Sequence, residues 1–506
     1  MAQTETTAAN ARIAGAAPTA PPDSHHSKRW LILAVIGLAQ LMIVLDVTIV
    51  NIALPDAQKA LAFSNGDRQW IVTAYSLAFG SLLLFFGRVS DVIGRRAMFL
   101  IGLIGFAAAS ALGGAAPNFE VLVTARALQG VAGAMLAPAA LSLLSTTFTD
   151  AKERATAFAV FGGIAGSGAA IGMLLGGVLT EYLNWRWTLF VNVGISVLAI
   201  AGAATLIPRH PRSEDRPRLD IPGTVLVSAG LFGLVYGFAN AESHAWSAPS
   251  TWGFLVGGAV LLAIFTWWQT RAAHPLLPLR VLLERNRGGS YLAMFLTGIG
   301  MFGVFLFLNY YLQENLRYSP VMTGVAFLPM VAALMITATI STTQFYPRFG
   351  AKILVFLGML MAGGGMAWLT GISLSSSYAA NILGPLLVVG VGMGMIFAPA
   401  MNAGTSGVEA HDAGVASATV NTTQQIGGSI GTALLNSLAS TAFAHYLVGK
   451  NPTSQLVQAN AAIHSYITAF WWAAGIFAAG AVICGLILKA GKPDPADPDA
   501  APAIHA

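Results

Sequence analysis

Charge is scarce in this chain of 506 residues: Asp, Glu, Lys and Arg together make up 9%, against about 25% in soluble domains. So little charge cannot cover the surface of a soluble protein of this size, and lipid must be the solvent for most of the chain. Cysteine is nearly absent. Cys484 stands alone, which excludes an internal disulfide and a cysteine-held metal cluster; its apolar run makes it a small buried hydrophobe. No G-x-x-x-x-G-K-[ST] phosphate loop occurs. The histidines fall mostly in loops and tails, with no His/Glu cluster inside one apolar run. ATP hydrolysis and metalloenzyme chemistry therefore have no residues to support them, and no metal or cofactor is implied. The net charge of +5 is spread over short loops rather than gathered on one face, so a nucleic-acid partner is excluded. Residues 1–29 are rich in Ala, Thr, Pro and Ser and lack the apolar centre of a leader peptide. They read as a disordered cytosolic tail, as do residues 490–506.

What the chain has instead is apolar length, with 56% hydrophobic residues. A helix crossing the hydrocarbon needs about 20 apolar residues. Fourteen candidate spans meet that need, at about 30–54, 70–89, 97–116, 120–147, 155–180, 187–207, 221–240, 251–270, 289–313, 320–343, 352–372, 379–402, 413–440 and 465–489. Runs this long are helices, not the alternating ten-residue strands of an outer-membrane barrel. An even count puts both termini on one side. Placing them in the cytosol puts about twenty of the 26 basic residues inside, as the positive-inside rule demands.

The loop after the second span, Gly87 to Arg96, and the loop after the tenth, Tyr346 to Lys352, both place a glycine and basic residues between two helices. Gly94 and Gly350 are 256 residues apart, nearly the offset between spans five and thirteen. Spans 1–6 and 9–14 therefore read as related six-helix bundles at 30–207 and 289–489, with two linker helices at 208–288. Repeated halves of this kind mark a transporter whose site lies at their interface.

Two charges interrupt the apolar runs: Asp46 in span one and Arg126 in span four. Each is worth about 2.5–3.5 kcal/mol against insertion, so each is a functional candidate. Both lie near the outer end of their span, at depths that match within one helical turn. Either they form a fixed ion pair, or Arg126 is satisfied by backbone carbonyls, or Asp46 binds protons under the influence of Arg126. Burial disfavours a carboxylate's charged form and a guanidinium favours it, so a carboxylate under both can switch. The positions 256 residues further on, Phe302 and Ile382, cannot titrate. Coupling then belongs to the first bundle, and neutral or singly charged amphipathic substrates fit better than dications.

Three further groups are candidates. In the Gly87-to-Arg96 loop, Asp91 flanked by Arg95 and Arg96 could dock against helix ends as a gate with Gly87 and Gly94, or be a solvated basic turn. Span five carries Gly168, Gly172, Gly176 and Gly177, which allow close backbone approach, static or sliding. Gln40, Asn51, Gln129, Asn421, Gln424 and Gln425 could line a cavity or bond helix to helix.

These motifs resemble the major facilitator superfamily and, within it, the fourteen-spanner drug:proton antiporters of the EmrB/QacA type. The resemblance spans nearly the whole chain. Leu45-Asp46-Val-Thr48 through Leu54-Pro55 resembles the first-helix motif, Gly87 to Arg96 the superfamily loop, and Arg126 with Gln129-Gly130 the fourth-helix motif. Trp185-Arg186-Trp187 followed by Phe190 and Asn192 is similar to the start of helix six, and Gly414 to Gly428 to helix thirteen. One motif departs: where the antiporters carry Gly-Pro-x-x-Gly-Gly in helix five, this chain has Gly172-Met173-Leu-Leu-Gly176-Gly177. The resemblance implies proton-coupled export of drugs or self-made antibiotics across a bacterial cytoplasmic membrane. Protons, lipid and a small amphipathic molecule are the implied partners of a monomer, and the chain is no enzyme. A symporter or facilitator on the same fold is the alternative that the missing proline leaves open.

Overall fold

Helices of 20 residues or more follow one another along the chain: α1 (Arg29–Leu61), α2 (Arg68–Ile93), α3 (Arg95–Gly114), α4 (Phe119–Thr147), α5 (Ala151–Tyr182), α6 (Trp187–Leu206), α7 (Ile221–His244), α8 (Pro249–Gln269), α9 (Arg285–Tyr310), α10 (Pro320–Ile340), α11 (Tyr346–Leu369), α12 (Leu383–Thr405), α13 (Ala413–Leu447) and α14 (Gln455–Ile487). The computed structural model describes residues 28–64, 67–148, 150–208, 220–244, 246–273, 275–277, 279–408 and 413–491, and no strand occurs among them. The two expected tails lie almost wholly outside the described residues.

Eleven segments among the described residues are long and apolar enough to cross a membrane. One of them, Pro320–Leu369, holds both α10 and α11. Its 50 residues would extend roughly 75 Å as one rod, more than twice the ~30 Å of hydrocarbon. The backbone breaks at Gly350, with φ 70° and ψ −178°. Gly94, between α2 and α3, also has positive φ, 103°. The two glycines that align in sequence thus share positive φ, Gly94 between α2 and α3 and Gly350 at a break within the first turns of α11, where a Cβ would be strained. α5 and α13 fall outside the eleven, although α5 includes an apolar stretch at Ala170–Tyr182. Polar and small residues such as Thr419, Asn421, Thr422, Gln424 and Gln425 dilute α13. α5 runs unbroken through Met173, as a helix without proline should.

Apolar packing gathers the helices into two clusters. One joins Ile36, Met42, Phe79, Phe99, Phe106, Leu136 and Phe148 of the α1–α6 group. The other is built on Phe307, Met330, Met359, Val389, Phe470 and Phe477 of the α9–α14 group, and also takes in Val50, Leu54, Ile71 and Leu122. The second cluster thus joins the two groups at the end carrying Arg68, and α2 also meets α13 further along, where a Cβ on Gly80 would lie 3.6 Å from Ile426 Cγ1. α7 and α8 pair through glycines: a Cβ on Gly233 would come within 3.0 Å of Gly258 Cα. Val235 of α7 packs with Leu77 of α2 and Ile430 of α13, so the pair covers the seam between the groups. At the mouth of α7 the Asp220 carboxylate accepts from Trp268 Nε1 and Gln269 Nε2, each at 2.7 Å. Burial acts to raise this carboxyl, but those hydrogen bonds and the Gly223 amide outweigh it and hold the group below its ordinary range.

Candidate functional site

The helix that carries Asp46 is held by glycine. A Cβ on Gly168 would meet Val44 Cγ1 at 3.0 Å, and one on Gly176 would meet Ile49 Cα at 3.0 Å. Between them, a Cβ on Gly172 would collide with Thr48 Oγ1. Three glycines at four-residue spacing thus form a smooth ridge on α5 against which α1 lies. The fourth, Gly177, faces elsewhere: its Cβ would lie 2.6 Å from Val321 Cα at the start of α10. α4 is pressed onto α2 in the same way, because a Cβ on Gly130 would overlap the Tyr75 carbonyl.

This packing brings the two intramembrane charges into contact. Arg126 Nη1 donates to Asp46 Oδ2 at 2.5 Å. Asp46 is 0% exposed and Arg126 1%. The guanidinium also donates through Nη1 to Gln129 Oε1 at 2.7 Å and through Nε to the Ile71 carbonyl at 3.1 Å. Its carbon lies 4.5 Å from the centre of the Tyr75 ring. The second carboxylate oxygen, Oδ1, accepts from Gln129 Nε2 at 2.9 Å and Asn192 Nδ2 at 2.8 Å. Gln129 Nε2 further donates to Ser110 Oγ at 2.8 Å. The Asp46 carboxyl thus faces three donors from two helices, one of them a guanidinium. A buried ion pair persists only with such supplementary hydrogen bonds. A narrow cleft lined by Val50, Ala53, Leu54, Ile71, Leu122, Trp185, Thr188 and Leu189 reaches Arg126, with room for about one water molecule.

A second polar cluster ties the two helix groups together at the Arg68 end. Arg68 Nη2 meets Glu314 Oε1 at 3.0 Å and the guanidinium sits 4.1 Å from the Tyr310 ring centre. Tyr466 donates to Glu314 Oε2 at 3.2 Å. Asn309 and Gln313 donate to the carbonyls of Asn51 and Ile52, at 2.8 and 3.0 Å. Glu181 accepts from the Val321 amide at 3.2 Å.

Residues 36–432 match the model of the Major Facilitator Superfamily. The chain belongs to the major facilitator superfamily. The puromycin resistance protein of Streptomyces alboniger is 46% identical over 463 residues, covering 91% of this chain and 92% of that protein. The cephamycin export protein of Amycolatopsis lactamdurans is 38% identical over 78% of this chain and 82% of its own. A crystal structure of an auto-inhibited peptide transporter of the POT family shares the fold, with TM-score 0.67 at 15% identity over 94% of this chain and all of that one. The protein is a multi-pass membrane transporter of this superfamily.

The superfamily motifs are placed unevenly. Gln129, a candidate for cavity wall or helix-to-helix bond, is fully buried beside Asp46 and bonds α4 to α1 and α3, because it lies one turn after Arg126 on the same face of α4. Asn51, a second such candidate, is buried at the seam between α1 and α9. Gln40, Asn421, Gln424 and Gln425 are half-buried. In the loop motif, Arg96 donates to the Ala204 carbonyl at 2.8 Å and Arg88 to the Pro275 carbonyl at 3.1 Å. A Cβ on Gly87 would lie 3.7 Å from Pro138 Cβ, Arg95 is half-buried, and the Asp91 side chain lies outside the described residues. Asn192, Tyr75 and Ser110 enter the site from uncharged positions in apolar helices. For Tyr75 and Ser110 a polar residue in an apolar run is the only signal, shared with every interhelical hydrogen bond, and for Asn192 the helix-six motif adds a place but no role. Arg68 and Glu314 carry no sequence signal at all, since each reads as a loop charge at the end of a span.

Proposed function

We propose that the protein exports amphipathic antibiotics from the cytosol in exchange for protons, with Asp46 as the proton carrier. The observation that carries this reading is the fully buried Asp46–Arg126 pair, held by neutral amides rather than by further charge. Protonation of Asp46 cancels the charge that pairs with Arg126 and leaves the guanidinium to the Ile71 carbonyl, the Gln129 oxygen and the Tyr75 ring, so one proton changes what holds α1 against α4. The names of the relatives support the substrate class: they speak of puromycin resistance and cephamycin export. Fourteen crossings fit the helices if Pro320–Leu369 passes twice and α5 and α13 cross as well. Both termini then lie in the cytosol of a bacterium, with residues 30–207 and 289–489 as the two bundles and 208–288 as the linker. In this orientation the Arg68–Glu314 seam closes the outer face, and the Gly94 and Gly350 turns face the cytosol. A monomer suffices, since the polar site is built within one chain.

Inside-out membrane vesicles with an acidified lumen test this. Puromycin is the first probe, given the 46% identical relative. Its uptake should follow the pH gradient and collapse when the gradient is dissipated. Asp46→Asn, present at wild-type abundance, should bring gradient-driven uptake to background. Undiminished uptake by that variant would remove Asp46 from the mechanism.

A further inference from the structure

Two buried oxygens in the Asp46 cluster have no partner among the described residues, Asn192 Oδ1 and the Tyr75 hydroxyl, and only Asn192 is hydrogen-bonded to Asp46 itself. Asn192 is fully buried, and while its Nδ2 donates to Asp46 Oδ1 at 2.8 Å, its Oδ1 has no hydrogen-bond partner among the described residues. Buried acceptors left unsatisfied are rare and costly, and each calls for a reason. The chemistry of Asp46 supplies one. An ionised carboxylate only accepts hydrogen bonds, but its protonated form must also donate one. Of the groups around it, the Arg126 guanidinium has no acceptor at all. The Gln129 oxygen is taken by Arg126 at 2.7 Å, and the Gln129 nitrogen bridges Asp46 and Ser110. A protonated Asp46 facing only these donors would have nowhere to place its hydrogen. Among the side chains hydrogen-bonded to Asp46, Asn192 is the one that can change sign without breaking another bond. Its terminal torsion is broad and roughly two-fold, so a half-turn of the amide puts Oδ1 where Nδ2 stood.

We propose that Asn192 is a positioning residue that serves both protonation states of Asp46, donating to the carboxylate and accepting from the acid. One proton from the aqueous phase forms an O–H bond at Asp46 Oδ1, the amide of Asn192 turns, and no other covalent bond changes. Among the described residues, the charged or titratable groups that face Asp46 are Arg126 from α4 and Tyr75 from α2, whose ring lies beneath the guanidinium. α3 and α6 present only Ser110, Asn192 and Ser196. Asn192 stands one turn before Ser196 on α6, and its helix-six motif thereby gains a task that its sequence context does not reveal.

The inference rests on Asp46 as proton carrier, so its test must separate the two. Infrared difference spectra of the purified full chain, recorded between alkaline and acid pH, need no substrate. The protonated Asp46 gives a carboxylic C=O band, assigned by its loss in Asp46→Asn. In Asn192→Leu the acid loses its acceptor and the carboxylate a donor. The band should then move to higher wavenumber while the titration midpoint stays close to wild type. Asn192→Ser, whose hydroxyl both donates and accepts, should keep the band near its wild-type position; a residue that merely fills space would be replaced better by Leu. Asn192→Ala repeats the comparison where Leu does not fold. A band unmoved by the Leu or Ala change, or a midpoint that rises with the band in place, would show a donor only and overturn the proposal. Absence of any Asp46 band would instead overturn the proton-carrier reading itself, and this inference with it.

Discussion

Arg126 makes three kinds of contact at once: an ion pair, a carbonyl hydrogen bond and a stacked ring. Its removal therefore exposes what the pair is worth. Arg126→Leu leaves a buried carboxylate without its counter-charge, an error of about 3–5 kcal/mol where such pairs are broken. The sign with pH follows from the unpaired acid, which is tolerated when protonated and not when ionised. The variant should be least stable at alkaline pH and recover as pH falls, and Arg126→Leu combined with Asp46→Asn should lose that dependence. Melting temperatures of the purified variants across pH are the measurement, and a pH-independent deficit in the single variant would contradict the pairing. This part of the site was legible in the sequence, because a charge inside an apolar run is conspicuous. Asn192 and Tyr75 were not, since neutral polar groups are ordinary in such runs and only the three-dimensional approach to Asp46 distinguishes them. Gln129 was legible as a candidate with two readings, because spacing on one helix does not say whether a polar face meets water or another polar group.

At the scale of elements, α5 shows how glycine sets the position of the functional helix. Gly172 lies against Thr48, and Gly162 has nothing within 4 Å of its would-be Cβ. The same substitution should therefore have opposite consequences at the two positions. Gly162→Ala should be neutral or stabilise by up to about 1 kcal/mol, through helix propensity alone. Gly172→Ala should destabilise by about 1–3 kcal/mol, the range for overpacking, and Thr48→Ala should recover part of that loss. Thermal melts of the three variants and the pair check this; equal effects at Gly162 and Gly172 would mean that α1 is not seated on this ridge. Helix existence was readable from apolar length, and the Gly94 and Gly350 turns from their shared pattern. The partner of each glycine was not readable, because a small residue permits close approach to any neighbour without naming one.

At the scale of the molecule, the two helix groups share apolar packing at the Arg68 end, and a few polar contacts lie across that seam. Such a seam suits a structure that must break it in every cycle. Interconversion needs two states within a few kcal/mol of each other, and a fully apolar weld would hold one of them too firmly. Arg68 and Glu314 dominate the seam by charge, with Arg68 largely buried and Glu314 partly open. Arg68→Glu sets two carboxylates against each other and removes the contact with Tyr310, and a bias of about 1.4 kcal/mol would change the balance of states tenfold. The balance can be read by placing Ala53→Cys, 2% exposed beside the seam, and timing its reaction with a membrane-impermeant maleimide. Cys484 is buried and so contributes little background. Labelling should quicken by about tenfold in Arg68→Glu and slow again when Glu314→Arg is added, because the reversed pair restores attraction across the same gap. The swap cannot rebuild the packing of a guanidinium on the Tyr310 ring, so restoration should be partial. Labelling that stays fast in the double variant would show that position 68 acts through its shape and its aromatic contact, and that charge does not hold this end shut.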